Sequence, residues 1–113
     1  MELEELTPDE DVALLALMRE IIQADGDYSI EEQVLVAELR DEMGADRFDR
    51  AVAGATQRLA TRRQLAAFVP TITRPGARKL IMRRLVMMSA ADRVIGPEAQ
   101  ALRWLAEKWP GSF

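Results

Sequence analysis

Ala24-Asp25-Gly26-Asp27-Tyr28-Ser29-Ile30-Glu31-Glu32 is a loop that runs into a helix, and Ala91-Asp92-Arg93-Val94-Ile95-Gly96-Pro97-Glu98 repeats its shape 67 residues later. Ser29 and Glu32 have the spacing of a capping box. The serine hydroxyl accepts the N–H three residues on, and the glutamate reaches back to the serine N–H. In the second stretch Gly96-Pro97 starts the helix with a proline in its first turn, where no N–H is needed. The same 67-residue slide lays Leu14 and Leu15 on Ile81 and Met82, Met18 on Leu85, Ile21 on Met88, Gln33 on Gln100 and Leu35 on Leu102. Each copy reads as a long helix, a short Asp-headed loop and a capped helix. One such hairpin cannot bury its apolar stripe alone, whereas two can do so against each other.

Working outward, helix signals fill the rest of the chain. Thr7-Pro8-Asp9-Glu10 is a capping box ahead of Val12, Leu15, Met18 and Ile22, which fall on one face, with Leu14, Leu17 and Ile21 widening it. That helix is expected to end near Ala24. The helix after Ser29 should bury Val34, Leu35, Leu39 and Met43, and Gly44 stands where a left-handed cap is expected. Asp46 can cap a third helix through Phe48, Val52 and Leu59. Thr61-Arg62-Arg63-Gln64 resembles another capping box, leading to Leu65 and Phe68, and Pro70 should end or kink that segment. Thr73-Arg74-Pro75 begins a long helix with Leu80, Ile81, Leu85 and Met88 inward. The last helix turns Ala101, Leu102, Leu105 and Trp109 to the core, and Pro110-Gly111 stops it. No stretch alternates with the period of a strand. The expected fold is all-α, a compact bundle of about six to seven helices in one domain over residues 1–113. Met82, Met87 and Met88 read as core gap-fillers and Trp104 and Trp109 as packing anchors.

Composition narrows the chemistry. The 113 residues contain no cysteine and no histidine, which removes disulfides, thiolate metal sites and the commonest general base. The start is acidic, with no basic region followed by an apolar stretch, and no apolar run approaches the ~20 residues of a membrane span. The chain is therefore expected to be cytoplasmic, with no membrane insertion. Charge is unevenly placed: residues 1–50 hold 16 acidic and 4 basic side chains, residues 51–113 hold 3 and 11. The simplest account is that the halves neutralise each other on folding. The sharper one is a dipolar surface, acidic on one face and basic on the other. A pI near 4.9 and sparse aromatics argue against nucleic acid.

The Asp25 loop invites a test for metal binding. Asp25, Asp27, Ser29 and Glu31 alternate as oxygen donors, but an EF-hand needs Gly at its sixth position and Glu at its twelfth, and Ile30 and Val36 stand there. A looser site could draw on Asp25, Asp27, Glu31 and Glu32, with Asp92 and Glu98 from the second copy, and oxygen ligands alone would select Ca²⁺, Mg²⁺ or Mn²⁺. The competing account is structural: acidic residues in a first helical turn are stabilised by the helix dipole and free N–H groups.

The Ala24–Glu32 phrase and its echo at Ala91–Glu98 resemble the TerB-like, tellurite-resistance family, over nearly the whole chain from about Asp11 to Trp109. The resemblance implies an all-helical fold of two pseudo-symmetric hairpins, a role in bacterial tellurite and chemical-stress systems, and no enzymatic activity. It also implies metal ligands at Asp25, at Glu31 or Glu32, and at Asp92 and Glu98. The second copy departs from the pattern, with Arg93 in place of the glycine and Ala99 in place of a second glutamate. An alternative function is a metal-free interaction or homo-oligomerisation module, whose basic helix (Arg74, Arg78, Lys79, Arg83, Arg84) meets an acidic partner or the acidic half of a second copy. A carboxylate-based hydrolase lacks a separate base, nucleophile or oxyanion donor.

Overall fold

Thr7 opens the first long helix as its sequence directs. Its hydroxyl accepts the Glu10 N–H at 3.2 Å, and the Glu10 carboxylate accepts the Thr7 N–H at 2.8 Å. From that cap α1 runs Pro8–Asp25, then α2 Ile30–Met43, α3 Ala45–Arg58, α4 Arg62–Phe68, α5 Pro75–Ala91 and α6 Pro97–Lys108. Single turns of 3-10 helix lie at Leu3–Glu5 and Val69–Thr71. This computed structural model describes residues 1–25, 28–91 and 97–112. Among the described residues all regular structure is helical, and the Cα radius of gyration is 12.8 Å, near the ~13 Å expected of a compact chain this long.

The caps decide the element boundaries. Ser29 Oγ accepts from Glu32 N–H at 3.1 Å while Glu32 Oε1 accepts from Ser29 N–H at 3.0 Å. Thr61 and Gln64 repeat the exchange at the start of α4, both bonds 3.1 Å. Pro70 falls in the 3-10 turn that follows α4, so the segment ends where proline forbids its continuation. Gly44 has φ +88°, as a helix-ending glycine should, but its ψ of 143° is extended rather than left-handed helical. It closes α2 by donating to the Arg40 carbonyl at 2.9 Å, and its own carbonyl accepts the Phe48 N–H at 3.0 Å in the opening turn of α3. Because one residue serves both ends, Asp46 is not the expected cap. It sits in the first turn of α3, where only the dipole favours it.

Helix α1 is the centre of the molecule. Residues 11 to 18 are buried without interruption, so this helix is covered on every side, by α3, α4, α5 and α6. The approach of α3 depends on Gly54: a Cβ there would lie 2.7 Å from Val12 Cγ2. Arg19 then reaches across from α1 to the Ala55 and Leu59 carbonyls at the end of α3; the Ala55 carbonyl also accepts the Leu59 N–H that closes the helix. Elsewhere α2 packs on α3 and α5, and α5 on α6. Trp109 is completely buried, its indole N–H donating to the Val69 carbonyl at 3.0 Å. The expected core residues Leu39, Met43, Phe48, Leu59, Leu65, Ile81, Leu85, Met88 and Leu105 are all buried.

Ile22, Leu35, Phe68, Leu80, Ala101, Leu102 and Trp104 are partly buried against that core, and three apolar residues read with it are exposed. Val34 is 49% exposed, Val52 40% and Met87 48%. Val34 and Met87 lie on the outer faces of α2 and α5, and Val52 is on the outer side of α3, each next in sequence to a residue that is packed inward.

The uneven charge is partly neutralised within the fold. Of six ion pairs among the described residues, four join the two halves: Arg58–Asp9, Arg62–Glu20, Arg74–Glu10 and Arg84–Glu42. The most protected pairs cluster at the start of α1. Arg47 grips the buried Asp11 through two bonds of 2.7 and 2.6 Å and also donates to the Leu3 carbonyl at 2.7 Å. Among the described residues no helix is long and apolar enough to cross a membrane.

Candidate functional site

The Asp25 loop is described only at its helical side. Glu32 is fully buried, and its carboxylate caps the helix that it belongs to. Glu31 is exposed in the same first turn. Tyr28 stands beside them, its carbonyl accepting from the Gln33 side chain at 3.0 Å, and burial with the nearby Glu32 charge raises its phenol above the ordinary value. Asp27 and Asp92, and the side chains of Asp25 and Glu98, lie outside the described residues. Among the described residues no group of three or more carboxylates is arranged to hold a metal ion.

The basic helix divides into two faces. On one side its cations are engaged within the chain. Arg74, just ahead of α5, makes two bonds to the buried Glu10 carboxylate (2.8 and 2.5 Å) and another to the Glu5 carbonyl at 2.9 Å. The Arg74 guanidinium, with Thr7 assisting, holds the Glu10 carboxyl below the ordinary glutamate range despite burial, which pushes the other way. Arg78 donates to the Ile72 carbonyl at 2.5 Å and lies over the Trp109 ring, 5.7 Å from its centroid. Arg84 binds Glu42 on α2 with bonds of 3.3 and 2.6 Å. On the other side Lys79 and Arg83 are exposed and take part in no ion pair among the described residues.

Lys79 and Arg83 do not stand alone. Residues 79, 83, 86 and 87 share one helical face, and Val86 (37%) and Met87 are exposed beside the cations. On α2 the exposed face carries Ile30 (75%), Val34, Glu38 and Asp41. These two helices touch, and the Glu42–Arg84 pair lies between them. The outer surface of the α2–α5 pair is therefore a mixed patch, with apolar residues on both helices, acid on one and base on the other. The sequence signal for Met87 was present: it lies four residues after Arg83, on the charged side, and not with Leu85 and Met88.

A cavity of about 250 Å³ opens between α1, α4, α5 and α6. Its floor is apolar (Leu17, Ile21, Leu65, Leu85, Leu105) and the Glu20–Arg62 pair sits at its edge. The charged residues among its described lining are Glu20 and Arg62, which pair with each other at 3.4 Å. Comparison with known proteins returns no matching family model, no similar curated protein and no similar solved structure.

Proposed function

We propose that this chain is a non-enzymatic, TerB-like interaction domain that works in a bacterial stress response of the tellurite-resistance type. The observation that carries the interaction part is the α2–α5 surface, where exposed aliphatic side chains lie beside Lys79, Arg83, Glu38 and Asp41, which take part in no ion pair among the described residues. An isolated exposed valine needs no explanation, but apolar groups gathered with unmatched charge are what contact surfaces present.

The TerB-like part has support of a different kind. Pro75 and Pro97 open α5 and α6, each 67 residues after the first residue of α1 and of α2. The long helix of each copy also packs on the capped helix of the other, α1 on α6 and α5 on α2. Both are what two pseudo-symmetric hairpins require. The cation part of the reading rests on Asp25, Asp27 and Glu31, with Ca²⁺, Mg²⁺ or Mn²⁺ as the ion. Glu32 contributes its charge from within its cap.

The test is affinity capture with the whole chain from cells that express it, comparing wild type with Met87→Glu and Lys79→Glu. A specific partner identified by mass spectrometry and lost in both variants supports the reading. Identical capture by all three proteins overturns it. For the cation, calorimetry should show binding at millimolar metal that weakens in Asp25→Asn, and equal heats from the two proteins would remove that part.

A further inference from the structure

We propose that the α2–α5 surface is a two-fold interface with a second copy of this chain, in which α2 of one protomer lies antiparallel on α5 of the other. The proposal rests on the reading of this surface as a contact face and names what covers it.

The two exposed stripes are ordered in opposite senses. Along α2 the face begins apolar, with Ile30 and Val34, and becomes acidic at Glu38 and Asp41. Along α5 it begins basic, with Lys79 and Arg83, and becomes apolar at Val86 and Met87. Set antiparallel, one register matches the stripes from Val34 to Asp41. Val34 meets Val86 and Met87, Glu38 meets Arg83, and Asp41 meets Lys79, each step being about one helical turn. A parallel arrangement would set Glu38 and Asp41 against the apolar end of α5 and leave both cations over aliphatic side chains. None of Glu38, Asp41, Lys79 and Arg83 is in an ion pair among the described residues, so all four are available.

A second copy fits better than an unrelated partner because both complementary stripes belong to one chain and their helices touch. A two-fold axis between the copies brings α2 onto the partner's α5 and α5 onto the partner's α2 together. Every favourable contact is thus made twice, which is what an isologous interface demands. The patch is narrow and its ion pairs are at the rim, so the dimer is weak and dependent on salt.

Sedimentation across a concentration series tests this. Wild type should show a monomer–dimer equilibrium at low salt that shifts toward monomer at high salt. Glu38→Arg and Arg83→Glu should each weaken the dimer by roughly tenfold or more, since each replaces two matched pairs by two repulsive ones. The double variant restores both pairs with the signs exchanged, and should return to within a few-fold of wild type. Met87→Ser should weaken the dimer at every salt concentration. All these positions are exposed, and circular dichroism will show that each variant keeps its helices. A wild type that stays monomeric at millimolar chain in low salt overturns the proposal. A double variant as weak as the single ones also overturns it, because it removes the antiparallel register. Neither result by itself decides the interaction reading, which fails only when capture returns no partner, a second copy included, that is lost in Met87→Glu and Lys79→Glu.

Discussion

Helices α1 and α2 follow one another in the chain, yet one is enclosed by protein and the other lies along the surface. In α1 the residues from Asp11 to Met18 are all buried, whereas α2 buries only Glu32, Leu39 and Met43. Both contain aliphatic residues in quantity. The difference is angular: α1 carries them all round the helix after its acidic first turn, and α2 sets charge beside nearly every one. Helix α1 is stable because it is packed. Helix α2 depends much more on its ends, the Ser29–Glu32 box and the Gly44 turn, with one row of contacts between them.

The contrast can be broken in a definite order. Leu14→Ala should cost about 2–5 kcal/mol in urea unfolding, because α1 has neighbours on all sides that cannot close the cavity; a loss below about 1 kcal/mol would show that α1 is not the centre. Asp11→Ala comes next, at about 3 kcal/mol, since it leaves the Arg47 guanidinium partly buried without its carboxylate. Asp9→Ala, which removes only an exposed pair with Arg58, should cost less than about 1 kcal/mol. Ser29→Ala should cost about 1 kcal/mol, and hydrogen exchange should show α2 opening before α1. Equal acceleration in both helices would mean that they open as one unit.

Acidity probes the same junction from another side. The folded Glu10 carboxyl lies below its ordinary value of 4.5, chiefly through Arg74, so the stability it adds is complete above that value. It is lost as pH falls from there through the folded value. Glu10→Gln should flatten this part of the stability profile, and an unchanged acid limb would deny Glu10 that role. At the small end, Val34→Ala should change stability by less than about 0.5 kcal/mol. A larger loss would mean that the outer face of α2 is covered within the monomer.

Much of this fold is legible in the sequence because its punctuation is local. Three capping boxes, at Thr7, Ser29 and Thr61, each need only four residues, and all three close as read. Gly44 and Pro70 end helices by backbone restriction alone. What periodicity could not give is which side of a helix meets a neighbour: Val34 and Val52 share their helices with core residues yet face outward, and so does Met87. The engagements of Arg47, Arg74 and Arg84 were equally hidden. Their partners lie 36, 64 and 42 residues away, and no local spacing encodes them. The basic helix looked uniform as a string, and only its packing separates the cations that hold the fold from Lys79 and Arg83. For the acidic loop, the sequence showed both roles of Glu32, as cap and as candidate ligand, and the structure accounts for the first.

The seat of Trp109 has an optical consequence. The sequence has two tryptophans. Trp109 is dry, bonded to the Val69 carbonyl and roofed by Arg78, whereas Trp104 is partly open to solvent beside Lys108. The first should emit toward the blue and the second toward the red. When the end of α6 lifts from the turn after α4, the blue emitter should shift toward the red. The chain therefore carries an intrinsic fluorescence gauge of that docking, and Trp104→Phe would leave the gauge reading by itself.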